Sequence, residues 1–297
     1  MQTRILKANI LLLLTAAIWG SGFVAQRSGM DYVGPMTYSA LRFGIGALSL
    51  TPLLWLNSRK GIPVLSQGVD KKFIFLAPCL TGLALFVGIS LQQIGLLHTT
   101  AGKAGFITGL YVALVPILGL FVGLRPGFGG LFGPLICAAG LYFISVTKDF
   151  TLATSDALII ISAFAWAIQV LLLGWLSPKI DGIRLAFGQF LVCSVLSLFC
   201  ALAFETFPIQ GILDGWFPIV YGGVMPVGVA FTLQVIAQKD SPPAHAATIL
   251  SMEAVFAAVG GWLILGETLS SRALLGCSLM LAGMLIAQLW PKADKAR

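Results

Sequence analysis

Two charged side chains, Glu253 and Arg42, stand inside long apolar runs. A charge at the centre of a membrane helix costs about 2.5–3.5 kcal/mol on insertion scales, so residues kept there tend to act on a solute or an ion. Glu253 suits two such tasks, binding a donor group of a solute and carrying a proton; as a packed, hydrogen-bonded acid it would instead tie helices together. At helical spacing Ala246, Ala257 and Gly260 share its face. A stripe of small residues meets other helices or a cavity rather than lipid. The guanidinium of Arg42 can pair with Glu253, receive a carboxylate or phosphate, or snorkel to the surface and bond helix-end carbonyls.

Trp19 and Trp166 also fall within apolar runs, away from the interfaces where aromatic belts form. They can line a central cavity and stack on a solute, or fill the core. Tyr111 and the amides Gln92, Gln93, Gln169 and Gln234 complete the candidate set. Neighbours on a helix point about 100° apart, so Gln92 and Gln93 are not expected to face one cavity. His245 follows Pro242 and Pro243 at a helix start, where a solvated interfacial role is expected. The five cysteines (Cys79, Cys137, Cys193, Cys200 and Cys277) lack C-x-x-C spacing and read as small buried residues, not metal ligands. The chain carries no H-E-x-x-H, G-x-S-x-G or G-x-x-x-x-G-K-[ST], so neither an enzyme, a nucleotide-driven pump nor a bound cofactor is expected.

These side chains need a scaffold that holds them at membrane depth, and the composition supplies one. The chain has 297 residues, 58% apolar and 10% charged, with a mean hydropathy of +0.96. Soluble domains carry about 25% charged residues, too many for this chain to be one. A hydrocarbon core about 30 Å thick takes roughly 20 apolar residues per helix. Ten such runs are expected, at 8–26, 35–57, 73–96, 102–123, 130–147, 155–176, 183–204, 215–237, 244–265 and 271–290. Arg4 and Lys7 precede the first run, which continues through Ile18, Trp19 and Val24 without a small-x-small cleavage site. It therefore reads as a retained membrane helix and not a signal peptide.

With the amino terminus placed in the cytoplasm, 13 of the 18 Lys and Arg residues fall on the cytoplasmic side and 4 on the other, with Arg42 inside a run. That bias places both termini in the cytoplasm, which an even number of spans permits. The net charge of +7 is accounted for by these loops. No basic stripe interleaved with aromatics occurs, so a nucleic-acid partner is not expected.

The chain also repeats itself. A shift of 147 residues lays Trp19 on Trp166 and Leu41-Arg42-Phe43 on Gly188-Gln189-Phe190. A shift of 142 lays Leu91-Gln92 on Leu233-Gln234, Ala104 on Ala246, Ile107 on Ile249 and Tyr111 on Glu253. At 143, Gly133 and Gly140 fall on Gly276 and Gly283. An ordered series with nearly constant offset indicates duplication, with repeats at 1–150 and 151–297. Five spans per repeat force the second copy to insert upside down, as in many secondary transporters.

Thr15-Ala-Ala-Ile-Trp19-Gly20-Ser21-Gly22-Phe23 followed by Leu41-Arg42-Phe43 resembles the opening of an EamA-type transporter of the drug/metabolite transporter superfamily. The second half is similar where Ala244 to Glu253 runs on to Leu265-Gly266-Glu267-Thr268-Leu269, then Gly276 and Gly283. The resemblance covers nearly the whole chain. It implies a ten-helix, all-α inverted-repeat bundle that exports or exchanges small solutes such as amino acids. Two positions depart from symmetry: Leu124-Arg125-Pro126 stands where the second repeat has Glu267-Thr268-Leu269, and Gln189 stands where the first has Arg42.

A gradient-driven carrier in a bacterial cytoplasmic membrane is therefore expected. Its partners would be a small-molecule substrate, membrane lipid and protons as the coupling ion. The competing expectation is a protein that flips or senses an amphipathic lipid.

Overall fold

A computed structural model of the chain describes residues 2–98, 101–145, 154–206, 209–256, 259 and 270–290. Among them every regular element is helical, apart from an isolated bridge between Leu65 and Ile180. Seven helices are long and apolar enough to cross a membrane: α1 (Gln2–Gly29), α2 (Pro35–Arg59), α3 (Phe73–Leu96), α4 (Ala104–Phe121), α6 (Thr154–Leu176), α7 (Gly182–Phe204) and α8 (Trp216–Gln238). The apolar helices α5 (Phe128–Ser145) and α10 (Ser271–Leu289) are shorter. The ninth expected run begins with α9 (Pro243–Leu250); positions 257, 258 and 260–269 lie outside the described residues. Phe75, Phe121, Phe199, Phe204 and Leu202 all stand on the surface. An apolar surface on that scale is stable only against lipid.

Prolines stand inside several helices. In α2, Pro52 has no N–H to give the Leu48 carbonyl; the Thr51 hydroxyl donates to it instead, at 2.8 Å, and the regular helix is broken at Leu50. In α8, Pro226 lies within a π-helical stretch from Gly223 to Phe231. Such stretches are rare and recur at functional sites.

Packing follows a simple scheme. α5 lies along α10, α2 along α7, and α4 meets α9. α3 lies against α6 and α7, while α8 lies against α1 and α2. These contacts map onto themselves when each helix is exchanged with the one five places along. Glycine permits the tightest of them: a Cβ on Gly133 would stand 2.7 Å from the Gly283 carbonyl oxygen, and one on Gly140 2.7 Å from that of Gly276.

The α2–α7 pair is fastened at both ends. At one, the Glu205 carboxylate accepts from the Met36 N–H at 2.7 Å, the Thr37 N–H at 2.9 Å and the Thr37 hydroxyl at 2.8 Å, capping α2. At the other, Asp181 caps α7 by accepting from the Arg184 N–H at 3.1 Å. The loop between α2 and α3 is tied there as well, since Ser66 N–H donates to the Lys179 carbonyl and Asp181 N–H to that of Val64, both at 2.9 Å.

Candidate functional site

The fourth and ninth segments tighten at matching places. The Leu110 N–H donates to the Ile107 carbonyl at 3.3 Å, and the Met252 N–H to the Ile249 carbonyl at 3.1 Å. Both are i→i−3 bonds, the kind that tightens a helix locally. Leu110 and Met252 are 142 positions apart. The residues that follow them are Tyr111 and Glu253, buried at 4% and 6% exposure. The ninth run is thus not the one continuous helix its hydropathy implies: α9 stops at Leu250 and helix resumes at Glu253.

Tyr111 and Glu253 share the wall of a central cavity among the helices. The wall repeats the displacements seen in the sequence. Trp19 and Trp166 line it at a separation of 147, as do Gly22 and Gln169; Gln92 and Gln234, and Ile89 and Phe231, line it at 142.

Phe231 centres the aromatic side. Its ring centroid lies 4.6 Å from Trp19, 5.8 Å from Trp166, 6.0 Å from Phe43 and 6.2 Å from Phe190, with Trp166 stacked at 16°. The π-helical stretch of α8 carries this residue and also meets α1: Trp19 Nε1 donates to the Pro226 carbonyl at 3.3 Å, and Thr15 Oγ1 to that of Ala230 at 3.2 Å.

On the polar side, Gln92 Nε2 donates to Thr108 Oγ1 at 2.8 Å, and Gln234 Nε2 to Gln169 Oε1 at 3.2 Å. Arg42 is 2% exposed, with its guanidinium carbon 5.1 Å from the ring centroids of Tyr38 and Phe43. It neither snorkels nor pairs with Glu253; among the described residues the ion pair is Lys72 with Asp70, at the surface. Arg42 Nε and Nη2, Tyr111 Oη, Trp166 Nε1, Gln169 Nε2, Gln234 Oε1 and Gln26 Oε1 are buried without a hydrogen-bond partner. Each such atom costs about 1–3 kcal/mol while it is left unsatisfied. All of these residues line the cavity.

Of the residues singled out from sequence, Glu253, Arg42, Tyr111, Trp19, Trp166, Gln92 and Gln234 line this cavity, and Gln169 joins them. Gln93 is buried but stands outside the wall, as its angular separation from Gln92 implies. His245 is not the solvated residue expected. It is buried, with Nε2 2.9 Å from Asn9 Oδ1 and Nδ1 3.3 Å from the Ala287 carbonyl, where α9 meets α1 and α10. Phe231, Thr108 and Gln26 escaped the sequence reading. The repeat offers a signal for the first, because Phe231 lies 142 positions after Ile89 on the same wall.

The model of the EamA-like transporter family matches residues 6–146 and again residues 153–288. The chain belongs to this family. An uncharacterized transporter of Archaeoglobus fulgidus is 30% identical over 292 residues, covering 96% of this chain and 86% of that protein. A protein of Streptantibioticus cattleyicolor named as a probable terminal-alkyne amino-acid exporter is 24% identical over 295 residues, covering 94% and 93%. A crystal structure with 20% sequence identity superposes with a TM-score of 0.76 over 95% of this chain and 98% of that one, which establishes a shared fold. This EamA-family protein is a multi-pass membrane transporter of the drug/metabolite transporter superfamily. The family's name and those of the two relatives above are names of transporters.

Proposed function

We propose that the transporter is a gradient-driven carrier. It moves a small metabolite, such as an amino acid, out of the cell by alternating access through the central cavity. The observation that carries this reading is a cavity walled by residues at two repeating displacements, with unpartnered polar atoms on buried side chains. Two five-helix repeats, 1–150 and 151–297, inserted in opposite senses with both termini cytoplasmic, would place such a site at their interface near mid-membrane. The double family match and the exchange symmetry of the helix contacts both support that arrangement.

Within the cavity, Arg42 receives an anionic group of the substrate, since no carboxylate among the described residues pairs with it. Glu253 is the coupling residue: its carboxyl takes a proton from one side and releases it to the other as the cavity changes access. Trp19, Trp166 and Tyr111 supply the walls on which the apolar part of the solute rests.

The test is flux of a pooled metabolite library from proteoliposomes, with and without a pH gradient. The wild type is expected to move a selective subset, accelerated by the gradient. Glu253→Gln is expected to lose the acceleration while still exchanging labelled for unlabelled solute. Gradient-driven flux that survives Glu253→Gln would remove Glu253 as the coupling residue; transfer of lipid with no solute flux would overturn the carrier.

A further inference from the structure

The two tryptophans of the cavity are equivalent by position, yet their indole nitrogens are in different states. Trp19 Nε1 is committed to the Pro226 carbonyl; Trp166 Nε1 is buried with no partner. The amides divide in the same way. Gln92 is satisfied by Thr108. Its counterpart Gln234 bonds Gln169, and that pair leaves Gln169 Nε2 and Gln234 Oε1 unpartnered. Gln169 itself stands where the other copy has Gly22. Among these equivalent pairs, Trp19 and Gln92 of the first copy are bonded to the protein, while Trp166, Gln169 and Gln234 of the second hold two donors and an acceptor in reserve.

We infer that the face formed by Trp166, Gln169 and Gln234 is the specificity surface of the cavity, and that it reads an uncharged carboxamide edge on the substrate. The inference rests on the carrier reading above. Trp166 and Gln169 are three residues apart on α6 and so share a face, and Gln234 lies within hydrogen-bond distance of Gln169. The three residues thus belong to one patch of the cavity wall. A carboxylate would satisfy both N–H donors but set an anionic oxygen against Gln234 Oε1. An ammonium would satisfy Gln234 Oε1 and confront two donors. A primary carboxamide, or the N–H and C=O edge of a lactam, brings one acceptor and one donor side by side and satisfies both kinds. The conclusion does not depend on how the amide oxygens and nitrogens are assigned. Exchanging O and N in both glutamines still leaves one free donor and one free acceptor.

The experiment uses full-length protein in liposomes and a pool of primary carboxamides. Each is matched with its N,N-dimethylamide, its methyl ester and its carboxylate; the first two keep the acceptor and lose the donor. The wild type is expected to move the primary amides at least about tenfold faster than their dimethyl counterparts, the penalty for one unpaired buried group. Gln234→Leu, which removes the acceptor that the dimethyl partner leaves unpaired, is expected to reduce that ratio to near one, whereas Trp166→Phe and Gln169→Leu are each expected to slow amide and dimethylamide alike. Trp19→Phe and Gln92→Leu are expected to lower the melting temperature and keep the ratio, whatever they do to total flux. Equal rates for amides and their dimethyl or carboxylate partners overturn the inference, as does a ratio lost equally in Trp19→Phe. Flux of other metabolites without any carboxamide removes this inference and leaves the carrier standing; no flux of any solute removes both.

Discussion

Tyr111 and Glu253 each follow a tightened helical turn, at positions 142 apart, and both face the same cavity. Equivalent backbone thus presents a phenol from one segment and a carboxylate from the other. The scaffold is repeated while the chemistry is not, so the two residues can be separated by mutation. Tyr111→Phe deletes only a hydroxyl that has no protein partner. Stability should change by less than about 0.5 kcal/mol, and the loss should appear in the half-saturating concentration with gradient acceleration retained. A loss of acceleration in Tyr111→Phe, measured in proteoliposomes, would place proton coupling on the pair and not on Glu253 alone.

Phe231 touches Trp19, Trp166, Phe43 and Phe190, and it ends the π-helical stretch of α8. Truncating a buried aromatic costs about 3–5 kcal/mol. Phe231→Ala should cost at the upper part of that range, because rings from four helices lose one shared neighbour. Phe231→Leu should restore most of the stability and little of the selectivity. Thermal unfolding in detergent with parallel flux measurements checks both; a Phe231→Ala protein that melts like wild type would show the cluster to be incidental.

Much of this arrangement is legible from the sequence, for identifiable reasons. Hydropathy locates α3 at 73–96, since a span is a statement about transfer to lipid and needs no partner. The 142-residue shift pairs Tyr111 with Glu253 and Gln92 with Gln234, because duplication preserves position. What stays hidden depends on partners. Nothing in the sequence tells Trp19 from Trp166: the difference is the Pro226 carbonyl, which the π-helical stretch turns toward α1. His245 next to two prolines reads as interfacial, yet Asn9 and Ala287 close over it from α1 and α10. The interruption between Leu250 and Glu253 carries no proline or glycine that would announce it.

The α5–α10 contact joins the ends of the two matched segments. Gly133 meets Gly283 and Gly140 meets Gly276, while the sequence shift pairs Gly133 with Gly276 and Gly140 with Gly283. Each glycine therefore packs on the counterpart of its neighbour, as a twofold axis between antiparallel helices requires. A side chain at Gly133, Gly140 or Gly283 would press on backbone, which cannot give way as a flexible side chain can. Gly133→Leu and Gly283→Leu should each destabilise by at least about 1–3 kcal/mol, the usual penalty for overpacking. Their double mutant should cost less than the sum, because one separation of the helices accommodates both. Strict additivity in thermal unfolding would mean the two sites do not share a contact.

Glu205 couples the end of α7 to the start of α2. Its two oxygens take the Met36 and Thr37 N–H groups, donors that a helix start leaves without internal partners. A carboxylate there also meets the positive end of the helix dipole. Losing a side-chain cap costs about 0.5–2 kcal/mol, and Glu205→Ala should fall near the top of that range since three donors are released. Gly34 adds an internal control. A Cβ at Gly34 would press on the Glu205 carboxylate, so Gly34→Ala should destabilise the wild type and do so much less in Glu205→Ala. The coupling in this double-mutant cycle, read from thermal unfolding, should be roughly 1 kcal/mol for residues in direct contact. Zero coupling would show that the carboxylate does not hold α2 in the membrane-embedded protein, and that α2 and α7 are joined by their packed faces alone.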